Sequence, residues 1–222
     1  MAENNYNVKQ INKFIDRKEV KTIFELGART GHESLGLSTQ YPNAIIHAFE
    51  CNPHILETTR NVLKGNDKII LHEIAVSDIT KEDIFYPTDN FGSSSLYKAT
   101  LGKWWGDLAP VIIQTTRLDE YMTKNNIEAP DLICADIQGG ELNAFIGMGK
   151  YFNNVQYVIT EMPVNVPSYE SAPTHEEILN FMHSRDFVKC VSCFQNIYEI
   201  DVLFTKKYLN SVNEDYDIQI CN

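Results

Sequence analysis

The chain has 222 residues, of which 43% are hydrophobic, enough to bury one substantial core, and a single domain spanning 1–222 is expected. Thirty acidic against 19 basic residues leave a formal charge of -11. That balance argues against nucleic acid, whose phosphate backbone asks for a basic stripe, and favours a neutral or small polar partner. Residues 6–19 place Val8, Ile11, Phe14 and Ile15 on one helical face, which predicts a packing or lid helix ahead of a core running from 20 to 205 and a tail over 206–222.

Thr22 to Gly31, TIFELGARTG, reads as a strand, a glycine turn and a helix start, the junction at which open α/β sheets bind cofactors. Gly27 can let backbone approach a ligand and Gly31 can let the helix pack tightly on the strand, while free N–H groups at the helix start face the same crevice. An ordinary strand-to-helix turn carries such glycines too, so the weight comes from the rest of the chain. A helix over 33–40 stops at Tyr41-Pro42-Asn43. Residues 44–50, AIIHAFE, read as a strand buried on both faces and ending in an acid. Pro53 opens a helix that reaches Gly65, and 69–77, IILHEIAVS, form a third strand followed by Asp78. The alternation implies right-handed βαβ units in a doubly wound, mostly parallel sheet.

Between 78 and 110 the pattern loosens. An exposed strand at 81–87 precedes the small-residue loop FGSSSL at 91–96, Trp104 and Trp105 lie beside a turn, and 111–116 can pair back on 82–87 as an appended ribbon. Substrate contacts often lie in such insertions, so Ser93, Ser94 and Ser95 are candidates to bond a cofactor or sugar, and Tyr97, Trp104 and Trp105 to stack on a sugar face. The tryptophans can equally be packing residues. A short helix at 118–125 leads to a buried strand at 131–137 that carries Asp136 near its end. Gly139-Gly140-Glu141 then opens a helix through Tyr151, and 155–162 form a strand ending at Glu161. Thr174 with Glu177 three residues on has capping-box spacing for a helix to about Arg185. Strands at 187–194 and 197–204 close the sheet as an antiparallel pair.

On such a sheet Glu25, Glu50, Ser77 with Asp78, Asp136 and Glu161 gather at the carboxyl edge of the strands, where ligands bind. Glu50, about 20 residues beyond the glycine turn, is placed to accept hydrogen bonds from both ribose hydroxyls. A dinucleotide dehydrogenase wants a central glycine for the pyrophosphate, and Gly27-Ala28-Arg29-Thr30-Gly31 lacks it. S-adenosylmethionine has no phosphates, and its ammonium could pair with Glu25. A nucleotide-dependent oxidoreductase and a non-catalytic cofactor-binding module stay open as alternatives. The five cysteines are odd in number and scattered, as reduced thiols in a cytosol-like compartment would be. Cys190 and Cys193 have no second pair with which to complete four zinc ligands. No apolar run approaches the roughly 20 residues of a membrane-spanning helix, and MAENNYNVKQ has no signal-peptide core, so a soluble cytoplasmic protein is expected.

ELGARTGHES at 25–34, FECNP at 49–53, AVSD at 75–78, GSSSL at 92–96, TTRLDEY at 115–121 and DLICADIQGGELNAFIGM at 131–148 together resemble the FkbM-type S-adenosylmethionine-dependent methyltransferases. The resemblance covers about residues 20–205. It implies a class I methyltransferase fold, Rossmann-like, and O-methylation, most often of a hydroxyl on a sugar or a sugar-bearing natural product. It further implies a cofactor site built from Glu25, Gly27, Ala28, Arg29, Gly31, Glu50, Cys51, Ala75, Ser77, Ser94 and Asp136. Two positions depart from the family pattern: Arg29 stands where asparagine is usual, and Gln138 where an acid is usual. A sulfonium methyl needs little beyond alignment, whereas a sugar hydroxyl needs a base or a metal to take or stabilise its proton. Asp136 is the first candidate for that work and Glu161 the second, and the pair could hold a divalent cation, although Gln138 weakens tight binding of one. His54 and His175 read as structural.

Overall fold

The structure is a computed structural model that describes residues 14–100, 106–194, 196–206 and 220–221. The chain opens with β1 (Thr22–Leu26), α1 (His32–Gln40), β2 (Ile45–Phe49), α2 (Leu56–Leu63), β3 (Ile69–His72), β4 (Ala75–Ser77), β5 (Lys81–Phe85) and β6 (Val111–Arg117). It continues through α3 (Leu118–Asn125), β7 (Leu132–Ala135), α4 (Glu141–Gly147), a 3-10 turn (Gly149–Asn154), β8 (Tyr157–Pro163), α5 (His175–Ser184), β9 (Phe187–Phe194), β10 (Glu199–Lys206) and β11 (Ile220–Cys221). The main sheet has the order β11-β9-β10-β8-β7-β1-β2-β3, and a second sheet has the order β4-β6-β5.

β1 sits between β2 and β7, parallel to both, with Ile23 beside Ile46 on one side and Leu132 on the other. Both faces of this centre are covered, which is why β1, β7 and β8 read as nearly unbroken apolar runs. Alternate residues feed opposite cores: Ile23, Leu132, Ile159 and Leu203 pack with Leu37 and Leu63, whereas Phe24, Ile133, Val158 and Phe204 pack with Phe145, Met122 and Met182. The chain winds outward from β1 to β3 and then returns to lay β7 on the other side of β1. The crevice between the ends of β1 and β7 is therefore the topological switch point. β10 runs antiparallel to both β8 and β9, so the expected closing pair is present.

Several local expectations change. Residues 69–77 do not form one strand: the chain turns at Glu73 and Ile74, and β4 joins the second sheet, pairing Ala75 with Thr115. β5 and β6 make the expected ribbon, with Ile84 opposite Ile112. The helix expected through Tyr151 stops at Gly147, because Gly149 adopts φ 52 and the chain tightens into a 3-10 turn. Part of the expected tail returns as β11, parallel to β9. Of the expected N-terminal helix, residues 14–19 are bends and turns with Ile15 buried in the core, and 6–13 lie outside the described residues. Trp104 and Trp105 also lie outside them.

Gly147 marks where α4 presses on β4, since a Cβ there would overlap the carbonyl oxygen of Ser77. Gly147→Ala should therefore cost about 1–3 kcal/mol in urea unfolding despite alanine's better helix propensity.

On the face of β2 and β3, His47 Nδ1 and His72 Nε2 lie 2.8 Å apart and His72 Nδ1 lies 3.0 Å from Tyr121 Oη. His72 stacks between His47 and Phe49. The chain is satisfied when every ring is neutral, with Tyr121 donating to His72 and His72 donating to His47. Burial, reinforced by His47, lowers the His72 pKa to about 4. A depressed histidine favours folding fully above its ordinary pKa near 6.5 and loses that contribution as pH falls toward 4. Thermal melts from pH 7 to 4.5 should show a smaller acid-side loss of Tm in His72→Gln than in the wild type.

Candidate active site

The site begins where β1 ends. Gly27 has φ 91, and a Cβ on it would overlap the carbonyl oxygen of Asp136. Its glycine is thus required first for the convergence of β1 and β7, whose ends join through Asp136 N–H donating to Leu26 O at 3.0 Å. Gly31, at φ 83, precedes α1, and a Cβ there would lie 2.8 Å from Leu63. The close packing it permits is of α1 on α2 rather than of helix on strand. Arg29 between them has φ 50, a left-handed conformation that asparagine adopts more readily, which accounts for the residue usual in the family.

Glu50, just past β2, receives the turn. Its Oε2 accepts from Arg29 N–H at 2.7 Å, and its Oε1 accepts from the N–H groups of Cys51 at 2.8 Å and Asn52 at 2.7 Å. Burial raises its pKa while those three N–H groups pull it down. It is 8% exposed and borders the cleft, which leaves a preformed carboxylate edge toward a ligand. Asn52 Nδ2 then donates to Ser94 Oγ at 3.3 Å, tying β2 to the 88–96 loop.

The cleft between these walls opens to solvent. Of the residues expected to build the cofactor site, Gly27, Arg29, Glu50, Cys51, Ala75, Ser94 and Asp136 border it. Glu25, Ala28, Gly31 and Ser77 do not line it. Glu25 is fully buried behind the turn, where Ser34 Oγ donates to its Oε2 and its Oε1 has no partner. Ala28 is buried in the core, and Ser77 is held under α4. Glu33, in the first turn of α1, supplies the cleft acid that Glu25 does not. Burial and then Asp136 raise its pKa. Its place just past the glycine turn was the available signal. The apolar walls, Phe49, Val76, Phe85, Phe91, Leu96 and Ile137, carry none, because any core residue looks the same in sequence.

The three serines of GSSSL bond protein on every side. Ser93 O accepts from Tyr169 Oη at 3.2 Å, Ser94 Oγ accepts from Thr88 N–H at 3.0 Å, and Ser95 Oγ donates to Gln138 O at 2.6 Å. Tyr97 Oη accepts from Asn143 Nδ2 at 2.7 Å. Backbone bonds from Thr100 N–H to Ser168 O and from Glu170 N–H to Lys98 O pair this segment with the 164–173 loop.

Asp136 is half-buried at the cleft, and Glu161 faces a second, adjoining pocket. Between them lies Gln138, whose Nε2 donates to Asp136 Oδ1 at 2.6 Å and to Glu161 Oε2 at 2.8 Å. Its Oε1 accepts from Tyr169 Oη at 2.5 Å. Burial is the main force raising both carboxyls, and Asp136 pushes Glu161 further up, so the pair holds a proton readily. Pro167, Ser168, Tyr169, Glu141 and Glu199 complete the second pocket. Glu141 Oε1 accepts from Ile137 N–H at 2.8 Å, and burial raises its pKa to about 7.

A mostly parallel sheet with an antiparallel β10 inserted before β9, and a cleft at the β1–β7 switch point, is the class I methyltransferase architecture. A family model of the methyltransferase FkbM domain matches residues 26–189, and the chain belongs to that family. It is similar to the 2-O-methyltransferase NoeI of Sinorhizobium fredii, 23% identical over 177 residues covering 75% of this chain and 72% of NoeI. It is also similar to the hexuronic acid methyltransferase AglP of Haloferax volcanii, 23% identical over 78% of this chain and 71% of AglP. Among solved structures, fibrillarin of Aeropyrum pernix with bound S-adenosyl-L-methionine aligns with a TM-score of 0.53, 12% identity and coverage of 86% of this chain and 69% of that one. An S-adenosylmethionine-dependent methyltransferase from Aquifex aeolicus aligns at 0.51 with 10% identity, over 88% and 87% of the two chains. The protein is a methyltransferase that uses S-adenosylmethionine, and the oxidoreductase alternative falls away with the family.

Burial raises the pKa of Glu25 to about 8, against an ordinary 4.5. A raised carboxyl favours folding fully below its ordinary value and loses that contribution as pH rises through the folded one. Between pH 5 and pH 9 the ligand-free wild type should therefore lose more Tm than Glu25→Gln, whose neutral amide has no proton to release.

Proposed function

We propose that the chain transfers the methyl group of S-adenosylmethionine to a hydroxyl of a saccharide. The observation that carries the reading is the position of Asp136, which borders the large cleft and is joined through Gln138 to Glu161 in the adjoining pocket. The cleft suits the cofactor in three parts. Glu50 at one end would accept from the ribose hydroxyls, the apolar wall of Val76, Phe85 and Phe91 would cover the base, and Glu33 with Asp136 would face the cationic methionine end. The second pocket would take the acceptor, since Glu161, Glu199 and Ser168 offer oxygen acceptors to hydroxyl groups and Tyr169 offers a ring face. NoeI and AglP, named for 2-O-methylation and for a hexuronic acid, support a sugar acceptor. The net charge of -11 supports it over a nucleic acid.

When bound, S-adenosylmethionine supplies a methyl group on a sulfonium sulfur that is already an activated leaving group. The chain's part is to align and deprotonate. Tyr169 and the acidic wall would orient the acceptor, and Asp136 would take the proton of the attacking hydroxyl. The 88–100 and 164–173 segments, bonded to each other, shield this step from water.

Calorimetry should show S-adenosylmethionine and its demethylated product binding, with NAD silent, and Glu50→Ala weakening both by on the order of 10- to 100-fold. With a panel of saccharides and mass-spectrometric detection, Asp136→Asn should lower kcat by about 10²- to 10⁴-fold while cofactor affinity stays within a few-fold. NAD binding in place of the sulfur ligands would remove the cofactor assignment. A full rate in Asp136→Asn would remove the base.

A further inference from the structure

The acids at the ends of β7 and β8 raise the question of a divalent cation, and the residues present do not fit one. Among the described residues no three His, Cys, Asp or Glu side chains are grouped to hold a metal. Two neighbouring acids are tied to other groups: Glu141 Oε1 accepts from Ile137 N–H, and the two oxygens of Glu199 accept from Ser168 Oγ and Asn196 Nδ2. Asp136 and Glu161 also meet each other directly, and the Gln138 amide nitrogen lies 2.6 and 2.8 Å from one oxygen of each. A cation bridging the same oxygens would sit about 2.0–2.6 Å from them, in the same volume.

We propose that the Gln138 side chain takes the place of a divalent cation, clamping Asp136 and Glu161 so that this methyltransferase works without a metal. The amide has two protons on nitrogen and spends one on each carboxylate, so its donor capacity is matched to the pair. Its orientation is locked from behind. Flipping the amide would turn its oxygen toward the oxygens of Asp136 and Glu161 and give up the bond that Tyr169 Oη donates to Gln138 Oε1 at 2.5 Å. The backbone is locked as well, at φ 56 with Gln138 O accepting from Ser95 Oγ at 2.6 Å. Gln138 is 9% exposed, so water does not compete freely for these bonds. Gln138 acts as a positioning residue: it fixes one oxygen of Asp136, and the proton of the acceptor hydroxyl goes to that carboxylate rather than being lost from a metal-bound oxygen.

The inference rests on the methyl-transfer reading only for its kinetic arm. In the binding arm, the full-length protein is titrated with Mn2+ by calorimetry and by electron paramagnetic resonance, beside Gln138→Glu. The wild type should show no saturable site, and Gln138→Glu should gain one at least about tenfold tighter, because a third carboxylate then replaces the amide. In the kinetic arm, chelator should leave the wild-type rate unchanged. Gln138→Leu should lower kcat by about 10- to 100-fold with little change in cofactor affinity or acceptor KM, as loss of alignment does. Saturable Mn2+ binding by the wild type that disappears in Asp136→Asn would overturn the proposal, as would a folded Gln138→Glu that binds no more Mn2+ than the wild type. Should Gln138→Glu not fold, the wild-type titration decides alone. Should no saccharide be methylated, the Mn2+ results still stand or fall on their own.

Discussion

The contact on which the site depends is a backbone one, the meeting of Gly27 with the carbonyl of Asp136 at the ends of two parallel strands. β1 and β7 are neighbours in the sheet although a long excursion separates them in the chain, and their ends can converge only where one residue has no Cβ. From that point the turn carries Arg29 N–H to Glu50, and β7 carries Asp136 to the cleft and Gln138 onward to Glu161. A methyl at Gly27 would push apart the two strands that hold the cofactor wall and the candidate base. Gly27 thus serves a close approach of the protein to itself beside its place on the cleft wall.

Polar groups in the site are mostly occupied before any ligand arrives. Three N–H groups hold Glu50, two amide protons hold Asp136 and Glu161, and the serines of the 93–95 loop bind three different walls. Such pre-organisation lowers the ordering that binding must supply, and it suits a reaction in which alignment contributes more than bond polarisation. The same burial that makes these bonds strong raises the carboxyl pKa values, so the acids of the site are poised to take protons rather than to remain fully charged. The acidic surroundings of the second pocket place several acceptors where hydroxyl groups would be presented.

The two cores on either face of the sheet are independent of this polar layer, and they explain why the scaffold tolerates it. Consecutive residues of β1, β7, β8 and β10 alternate between the two clusters, so each strand is fixed from both sides, and Asp136 and Glu161 stand at or near the carboxyl ends of β7 and β8. Glu25 is the exception, an acid one residue inside β1 on the face toward α1, where Ser34 Oγ donates to it. There it behaves as a protonatable core group rather than as a ligand for the cofactor.

Sequence by itself determined the winding of the fold and the strand-end acids. The mostly apolar runs at 22–26, 44–50 and 131–137 read as buried parallel strands from their length and alternation with helices, and a strand-end acid such as Glu50 or Asp136 is brought to the carboxyl edge wherever the strand goes. The capping box at Thr174 and the ribbon of β5 with β6 were legible for the same reason, being set by neighbours in the chain or by local alternation. Tertiary structure alone decided the rest. It moved 75–77 into a second sheet beside β6, where Ser77 packs closely on α4 at Gly147. It turned Glu25 inward and put Glu33 at the cleft, because a helix start presents its first-turn side chains at an angle that only packing sets. It also converted Gln138 from a missing charge into the donor that joins two acids. That role depends on a left-handed backbone, a tyrosine 31 residues away and a strand end 23 residues away, and such distances in sequence carry no local signal.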